Sequence, residues 1–146
     1  MQYAAGGSLG DALKKWGCLC ENVVRRYTGQ ILDGLMFLNN RGISHRDIKP
    51  GNVLMHDGVI KLADFGTAKQ TGVESTENSP RAKESFTDGH VGTAIYMSPE
   101  VMMAGEDKNP KNIPDGKKSD IWSLGCTIVE MATGATCFRR CVIYWK

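Results

Sequence analysis

The chain has 146 residues, enough for one domain of ordinary size. Its apolar fraction of 41% and charged fraction of 23% exclude collagen-like, coiled-coil and wholly disordered proteins. Eighteen Lys and Arg residues against sixteen Asp and Glu leave a net charge of +2, which gives no electrostatic reason to expect a nucleic-acid or membrane partner.

The lack of a recognisable targeting signal and the pattern of cysteines lead us to expect a reducing compartment. The longest apolar-looking stretch, residues 121–132, is too short to span a bilayer, and the N-terminus lacks the pattern of a signal peptide. We therefore expect a cytoplasmic protein, with the nucleus as the other compartment open to it. The five cysteines include no C-x-x-C pair and lack suitably placed histidines, so we expect reduced thiols rather than a zinc site: Cys18, Cys20, Cys126, Cys137 and Cys141.

Two helices are expected in the first third of the chain. Ser8 is placed to cap a short helix that runs through Lys15. Residues 21–40 carry apolar side chains at steps of three and four, which predicts a longer amphipathic helix that Gly42 ends.

A hairpin, a long loop and a buried helix follow. Two apolar runs, 53–55 and 59–63, flank an Asp-Gly pair, the signal of a tight β-hairpin. Residues 67–90 form a polar connection that is long for a loop inside a compact domain, so we expect it to be functional or partly disordered, and Pro99 starts a short helix. A nearly all-apolar segment capped by Ser119 or Asp120 predicts a buried helix. This order indicates the α+β class, mainly helical with a small β-hairpin.

The residues with clearest chemical meaning lie around the hairpin, in residues 45–52 (HRDIKPGN) and 64–66 (DFG). Phosphoryl transfer needs an oriented hydroxyl, metal ions across the phosphates and positive charge near the transferred group. Asp47 can accept the hydroxyl proton and Lys49 can reach the phosphate, while Asn52 and Asp64 offer the oxygen ligands that Mg²⁺ prefers. The hairpin would bring Asn52 and Asp64 side by side.

These motifs resemble the catalytic loop and DFG motif of the eukaryotic protein kinases. Residues 96–100 (YMSPE) resemble the end of the kinase activation segment, and residues 120–125 (DIWSLG) the start of the buried helix of the C-terminal lobe. Residues 6–9 (GGSL), together with YMSPE, are most similar to the Ste-type, MAP kinase kinase kinase-like branch. As a joint pattern these motifs are specific, whereas Asp-Phe-Gly alone would mean little.

The resemblance implies a domain layout. Residues 1–134 would be a partial kinase domain, followed by a divergent tail at 135–146. Within the domain we expect a hinge at 1–9, the catalytic loop at 45–52, the activation segment at 64–100 and the buried helix at about 119–133.

The resemblance also implies roles for individual residues. Asp47 would be the catalytic base and Lys49 the cation that stabilises the phosphate, with Thr93 hydrogen-bonding both in the arrangement associated with serine/threonine acceptors. The cofactors would be ATP and Mg²⁺. The metal ligands would be Asn52 and Asp64, and the adenosine part of ATP would meet Leu54 as the pocket floor, the backbone of Gln2 and Ala4, and Ser8 near the ribose.

The implied reaction is phosphoryl transfer from ATP to a serine or threonine of a protein substrate, and a downstream kinase is one candidate. The sequence contains neither a glycine-rich phosphate loop nor a V-A-x-K lysine, and the helices that usually end the C-lobe have no match. We therefore expect a kinase C-lobe without its N-lobe, truncated at both ends, and negligible phosphotransfer by these 146 residues alone. A non-catalytic C-lobe fragment that binds proteins, or a pseudogene product, is the alternative.

Overall fold

The computed structural model of the protein describes residues 6–70, 94–104 and 115–137. Within them, the helices are α1 (Leu9–Trp16), α2 (Glu21–Asn39), α3 (Pro99–Ala104) and α4 (Gly116–Thr133). The strands are β1 (Ile43–Ser44), β2 (Val53–His56), β3 (Val59–Leu62) and β4 (Lys69–Gln70). Helices and small antiparallel sheets together confirm the expected α+β class.

The first two helices begin and end close to where the sequence predicts. The Ser8 hydroxyl caps α1 by accepting a hydrogen bond of 3.1 Å from the Asp11 N–H, and the Asp11 carboxylate accepts from the Ser8 N–H in return. This reciprocal capping box satisfies N–H groups that have no partner inside the helix. The longer helix α2 buries Ile31, Leu35 and Leu38 along one face.

Two antiparallel pairs of strands form the β structure. The hairpin pairs β2 with β3, from Val53 opposite Leu62 to His56 opposite Val59. Its turn has positive φ angles of 49° at Asp57 and 75° at Gly58, as the tight turns favoured in hairpins require. A second pair, β1 with β4, was not predicted from sequence, because two-residue strands carry no periodic pattern.

Helix α4 differs from its sequence prediction in two respects. It begins at Gly116, three residues before Ser119, and its N-cap is Asp115, whose carboxylate accepts a hydrogen bond of 3.0 Å from the Lys117 N–H. Its buried face combines polar side chains with Leu124 and Met131, whereas other apolar side chains are partly exposed, with 51% of Ile121 and 38% of Trp122 accessible in the described structure. An apolar composition alone therefore did not identify the buried face.

The apolar core lies where α1, α2, the hairpin and α4 meet. Its buried members come from every one of these elements and from the segment of residues 45–52: Leu9, Leu13, Ile31, Leu35, Ile48, Val53, Ile60, Leu124 and Met131. Each such side chain stabilises the fold by roughly 1.5–3 kcal/mol relative to exposure. Among the described helices, none combines the length and apolar character needed to cross a membrane.

Candidate active site

The segment of residues 45–52 connects β1 to β2 and ends in a single 3₁₀ turn at Pro50–Asn52. Ile48, in its middle, is buried in the core, and Pro50 and Asn52 are also buried. Buried residues spaced along the segment anchor it to the core, so the polar side chains between them have defined positions.

Asp47 is the most closely held of these side chains. Its Oδ2 accepts a hydrogen bond of 2.7 Å from the Asn52 amide and lies 2.8 Å from the Lys49 ammonium. The same Asn52 amide donates to the Asp47 backbone carbonyl at 2.8 Å. The other carboxylate oxygen, Oδ1, is buried and has no hydrogen-bond partner among the described residues.

The buried Asp120 of α4 holds the start of the loop. Its two oxygens accept hydrogen bonds from the backbone N–H groups of His45, at 2.8 Å, and Arg46, at 2.7 Å. Burial raises the pKa of Asp120 above its ordinary value, although both N–H groups favour the charged form. Arg46 has a left-handed backbone with φ of 65°, and its Nε donates to the Thr67 carbonyl at 2.7 Å.

The His45 ring links the loop to the segment after β3. Its Nδ1 accepts a hydrogen bond of 3.3 Å from the Asp47 N–H, and its Nε2 lies 3.0 Å from the Ala63 carbonyl. This pairing is satisfied by a neutral ring with its proton on Nε2. The ring centroid lies 5.0 Å from that of Phe65.

The hairpin brings the backbone of Asn52 next to Ala63, the residue before Asp64. The N–H of Ala63 donates to the Asn52 carbonyl at 2.9 Å. Asp64 has a left-handed backbone with φ of 61° and is exposed, with its Oδ1 accepting a hydrogen bond from the Gly66 N–H.

Ser8 and Leu54, both expected near a nucleotide, are paired in an isolated antiparallel bridge. Two backbone hydrogen bonds extend this pairing, from the Gly6 N–H to the Met55 carbonyl and from the Met55 N–H to the Gly7 carbonyl. The Ser8 hydroxyl itself donates to the Asp11 carboxylate at 2.7 Å, and this contact lowers the pKa of Asp11. Its principal role in the structure is therefore to cap α1.

The segment containing residues 96–100 is bonded to α4, the helix that also holds residues 45 and 46. The Tyr96 hydroxyl donates to the Glu130 carboxylate at 2.5 Å, and the Tyr96 carbonyl accepts from the Ser123 hydroxyl at 2.7 Å. Burial, with Glu130 as the second cause, raises the pKa of Tyr96 far above its ordinary value. Helix α4 thus positions both motifs.

Some positioning residues were not identified from the sequence, and some expected site residues are not described. Thr67 donates its hydroxyl to the His45 carbonyl at 3.0 Å while its own carbonyl accepts from Arg46. Its place just after the DFG motif was the only available signal.

Gln2, Ala4 and Thr93 lie outside the described residues.

Comparisons with known proteins agree with this arrangement. Residues 1–143 match the family described as "Protein kinase domain". Human mitogen-activated protein kinase kinase kinase 5 is 46% identical over 140 residues, which cover 92% of this chain and 9% of that protein. Human mitogen-activated protein kinase kinase kinase 3 is 45% identical over 134 residues, 91% of this chain and 19% of that protein.

A relative from another organism has a comparable sequence identity. Mitogen-activated protein kinase kinase kinase A of Dictyostelium discoideum is 44% identical over 135 residues, 91% of this chain and 12% of that protein. The chain therefore spans less than a fifth of the length of these curated relatives. It belongs to the protein kinase domain family and, within that family, is of the serine/threonine MAP kinase kinase kinase type.

Proposed function

We propose that the chain carries the catalytic loop of an ATP-dependent serine/threonine protein kinase, in which Asp47 accepts the proton of the substrate hydroxyl. The observation that carries this proposal is the fixed orientation of the Asp47 carboxylate. The Asn52 amide lies 2.7 Å and the Lys49 ammonium 2.8 Å from Oδ2, and Oδ1 has no hydrogen-bond partner among the described residues. A carboxylate that is held in one orientation and keeps capacity for a further hydrogen bond is suited to accept a proton in the transition state.

Lys49 is proposed to stabilise the transferred phosphoryl group. Its ammonium lies 2.8 Å from Oδ2 of Asp47, so a phosphate that approaches the hydroxyl nucleophile comes within reach of the same cation. Phosphoryl transfer depends mainly on such positioning and electrostatic stabilisation. The ion pair also holds the carboxylate in place before substrate arrives.

Asn52 and Asp64 fit Mg²⁺ in donor chemistry. The Asn52 amide nitrogen is committed to Asp47, which leaves its oxygen as a ligand, and Asp64 is exposed with one oxygen bonded to the Gly66 N–H. Mg²⁺ characteristically binds through one or two carboxylates, substrate phosphates and water. When bound, the ion would neutralise charge on the phosphate oxygens.

The nucleotide is proposed to lie against Leu54, with Ser8 near the ribose and the backbone of Gln2 and Ala4 at the adenine edge. The pairing of Ser8 with Leu54 supports the first part of this assignment. Thr93 is proposed to hydrogen-bond Asp47 and Lys49. The described residues would then make up the C-terminal lobe of a kinase.

The names of the relatives suggest the substrate. Proteins named mitogen-activated protein kinase kinase kinases act on kinases, so we propose that a downstream protein kinase offers the serine or threonine acceptor. We place this reaction in the cytoplasm.

Phosphoryl transfer from radiolabelled ATP to a protein substrate tests the proposal, measured on the longest gene product that contains these 146 residues. Asp47→Asn should lower kcat by about 10²–10⁴-fold because the variant lacks the base. Asp57→Asn makes the same atomic change in the hairpin turn and should retain the wild-type rate. Wild-type kcat in Asp47→Asn would reject the assignment.

The 146-residue chain alone is a separate case. We expect negligible phosphotransfer from it, because the sequence contains neither a glycine-rich phosphate loop nor a V-A-x-K lysine, two parts that kinases require. ATP-dependent transfer by the purified chain that disappears in Asp47→Ala would prove this expectation wrong.

A further inference from the structure

A small apolar cavity lies away from the proposed phosphoryl-transfer residues, between α1, α2 and the hairpin. Its volume is about 310 Å³, at the lower end of the range of ligand-binding pockets. The lining residues carry no formal charge: Ala12, Trp16, Cys18, Leu19, Cys20, Val23, Tyr27 and Met55. Such a lining favours an uncharged apolar ligand.

The cavity is unusual in having two exposed cysteines in its wall. Cys18 and Cys20 are both exposed and both free, and they stand on either side of Leu19 in the connection from α1 to α2. Two thiols at the edge of one apolar cavity combine a nucleophile with a place where an apolar molecule can bind.

The backbone that carries these cysteines is held in place by α4. The Leu19 N–H donates to the Met131 carbonyl at 2.8 Å. Gly134 approaches the same connection so closely that a Cβ built on it would lie 3.2 Å from the Cys18 nitrogen. The backbone that carries the two cysteines therefore keeps a defined position relative to the cavity.

The cavity is also distinct from the proposed nucleotide site. Its hairpin wall is Met55, and adjacent residues of a strand project to opposite faces. Leu54, the proposed floor for adenine, thus belongs to the other face of β2, and the cavity has no role in the function proposed above.

We propose that this cavity binds small apolar electrophiles of the α,β-unsaturated carbonyl class and directs their addition to Cys18 or Cys20. In this addition the sulfur forms a bond to the β-carbon, and the electrons of the C=C double bond move toward the carbonyl to give an enolate. The proton released by the thiol is returned through water to the α-carbon. The S–H bond is thus added across C=C, with no oxidant, reductant or leaving group.

The structure provides internal references for a test. Cys137 is exposed and free but is not among the residues that line the cavity, and Cys126 is buried. The full chain is pulsed with N-ethylmaleimide or N-hexylmaleimide, and adducts are assigned to individual cysteines by peptide fragmentation. Replacing ethyl with hexyl should raise the rate at Cys18 or Cys20, relative to Cys137, by about tenfold, the gain from burying roughly two methylene groups.

A substitution in the cavity wall then tests whether the cavity causes the faster reaction of N-hexylmaleimide. Trp16 is largely exposed, so Trp16→Ser removes one wall without opening the core, and it should abolish most of the preference for hexyl. Phe37 is a similarly exposed aromatic residue of α2 outside the cavity, so Phe37→Ser should keep the preference for hexyl. An ethyl-to-hexyl ratio equal to that of Cys137, or a preference unaffected by Trp16→Ser, would overturn the proposal.

Discussion

The carboxylate of Asp120 accepts a hydrogen bond of 2.7 Å from the backbone N–H of Arg46, a residue 74 positions earlier in the chain. Arg46 has φ of 65°, a region that costs a non-glycine residue about 1–3 kcal/mol. Asp120 binds this N–H with one oxygen and the N–H of His45 with the other. These two hydrogen bonds stabilise the left-handed backbone of Arg46, just before Asp47. The orientation of the proposed base thus depends on a buried carboxylate in α4.

The first prediction concerns that carboxylate. Asp120→Asn replaces one acceptor oxygen with an NH₂ group that faces a backbone N–H. We expect the free energy of unfolding of the full chain, from urea denaturation, to fall by about 2–3 kcal/mol. Asp115→Asn is the matched control, because Asn caps a helix as well as Asp does, and it should change stability by less than about 0.5 kcal/mol. Equal effects of the two variants would contradict the role given to Asp120.

The sequence was sufficient for the parts of the fold that depend on local signals. Ser8 as a cap, the amphipathic face of α2 and the Asp57-Gly58 turn are each determined by neighbouring residues, and all are found in the structure. The contact between the backbones of Asn52 and Ala63 was predictable for the same reason, since a tight hairpin leaves its two ends adjacent.

What the sequence could not predict depends on contacts between distant segments. The β1 and β4 strands are two residues long and exist because Ile43 meets Gln70 across the fold. In α4 the polar residues Ser123 and Thr127 are buried because their hydroxyls bond to backbone carbonyls, whereas Ile121 is exposed. A pattern of hydrophobicity does not contain these hydrogen bonds.

The second prediction tests how Asp47 is held. Asn52 is buried, and its amide donates to both the carboxylate and the backbone carbonyl of Asp47. Asn52→Ala should therefore lower the free energy of unfolding by about 2–3 kcal/mol, since two partly buried acceptors lose a donor. Asn40→Ala, at the exposed end of α2, should change it by less than about 0.5 kcal/mol. Urea denaturation measures the free energy of unfolding of both variants. If Asn52→Ala leaves it unchanged, the hydrogen bonds of Asn52 contribute no net stability.

The third prediction concerns alkaline pH. Burial, with the neighbouring Cys137 as the next cause, raises the pKa of the Cys126 thiol from 9.0 to about 11. The unfolded chain therefore releases this proton at lower pH than the folded chain, so stability falls as pH rises from about 9 to about 11. The loss from this group should reach at most about 2–3 kcal/mol.

Cys126→Ala should show a shallower decline over this pH range, and the comparison is made by urea denaturation under reducing conditions. Cys18→Ala, which removes an exposed thiol, serves as the control and should decline in parallel with the wild type. If Cys126→Ala also follows the wild-type curve, the thiol does not ionise differently in the folded and unfolded chains.

The last prediction compares two glycines of α4, where Ala would ordinarily stabilise a helix by up to about 1 kcal/mol. A Cβ on Gly116 would lie 2.8 Å from the Ser44 Cβ and 2.9 Å from its hydroxyl, so Gly116→Ala forces α4 away from β1 and the catalytic loop. We expect it to lower the free energy of unfolding by about 1–3 kcal/mol. A Cβ on Gly125 meets nothing within 4 Å among the described residues, so Gly125→Ala should raise the free energy of unfolding. If urea denaturation shows that Gly116→Ala lowers the free energy of unfolding while Gly125→Ala raises it, close packing at Ser44 keeps α4 against the loop. A Gly116→Ala variant more stable than the wild type would contradict this.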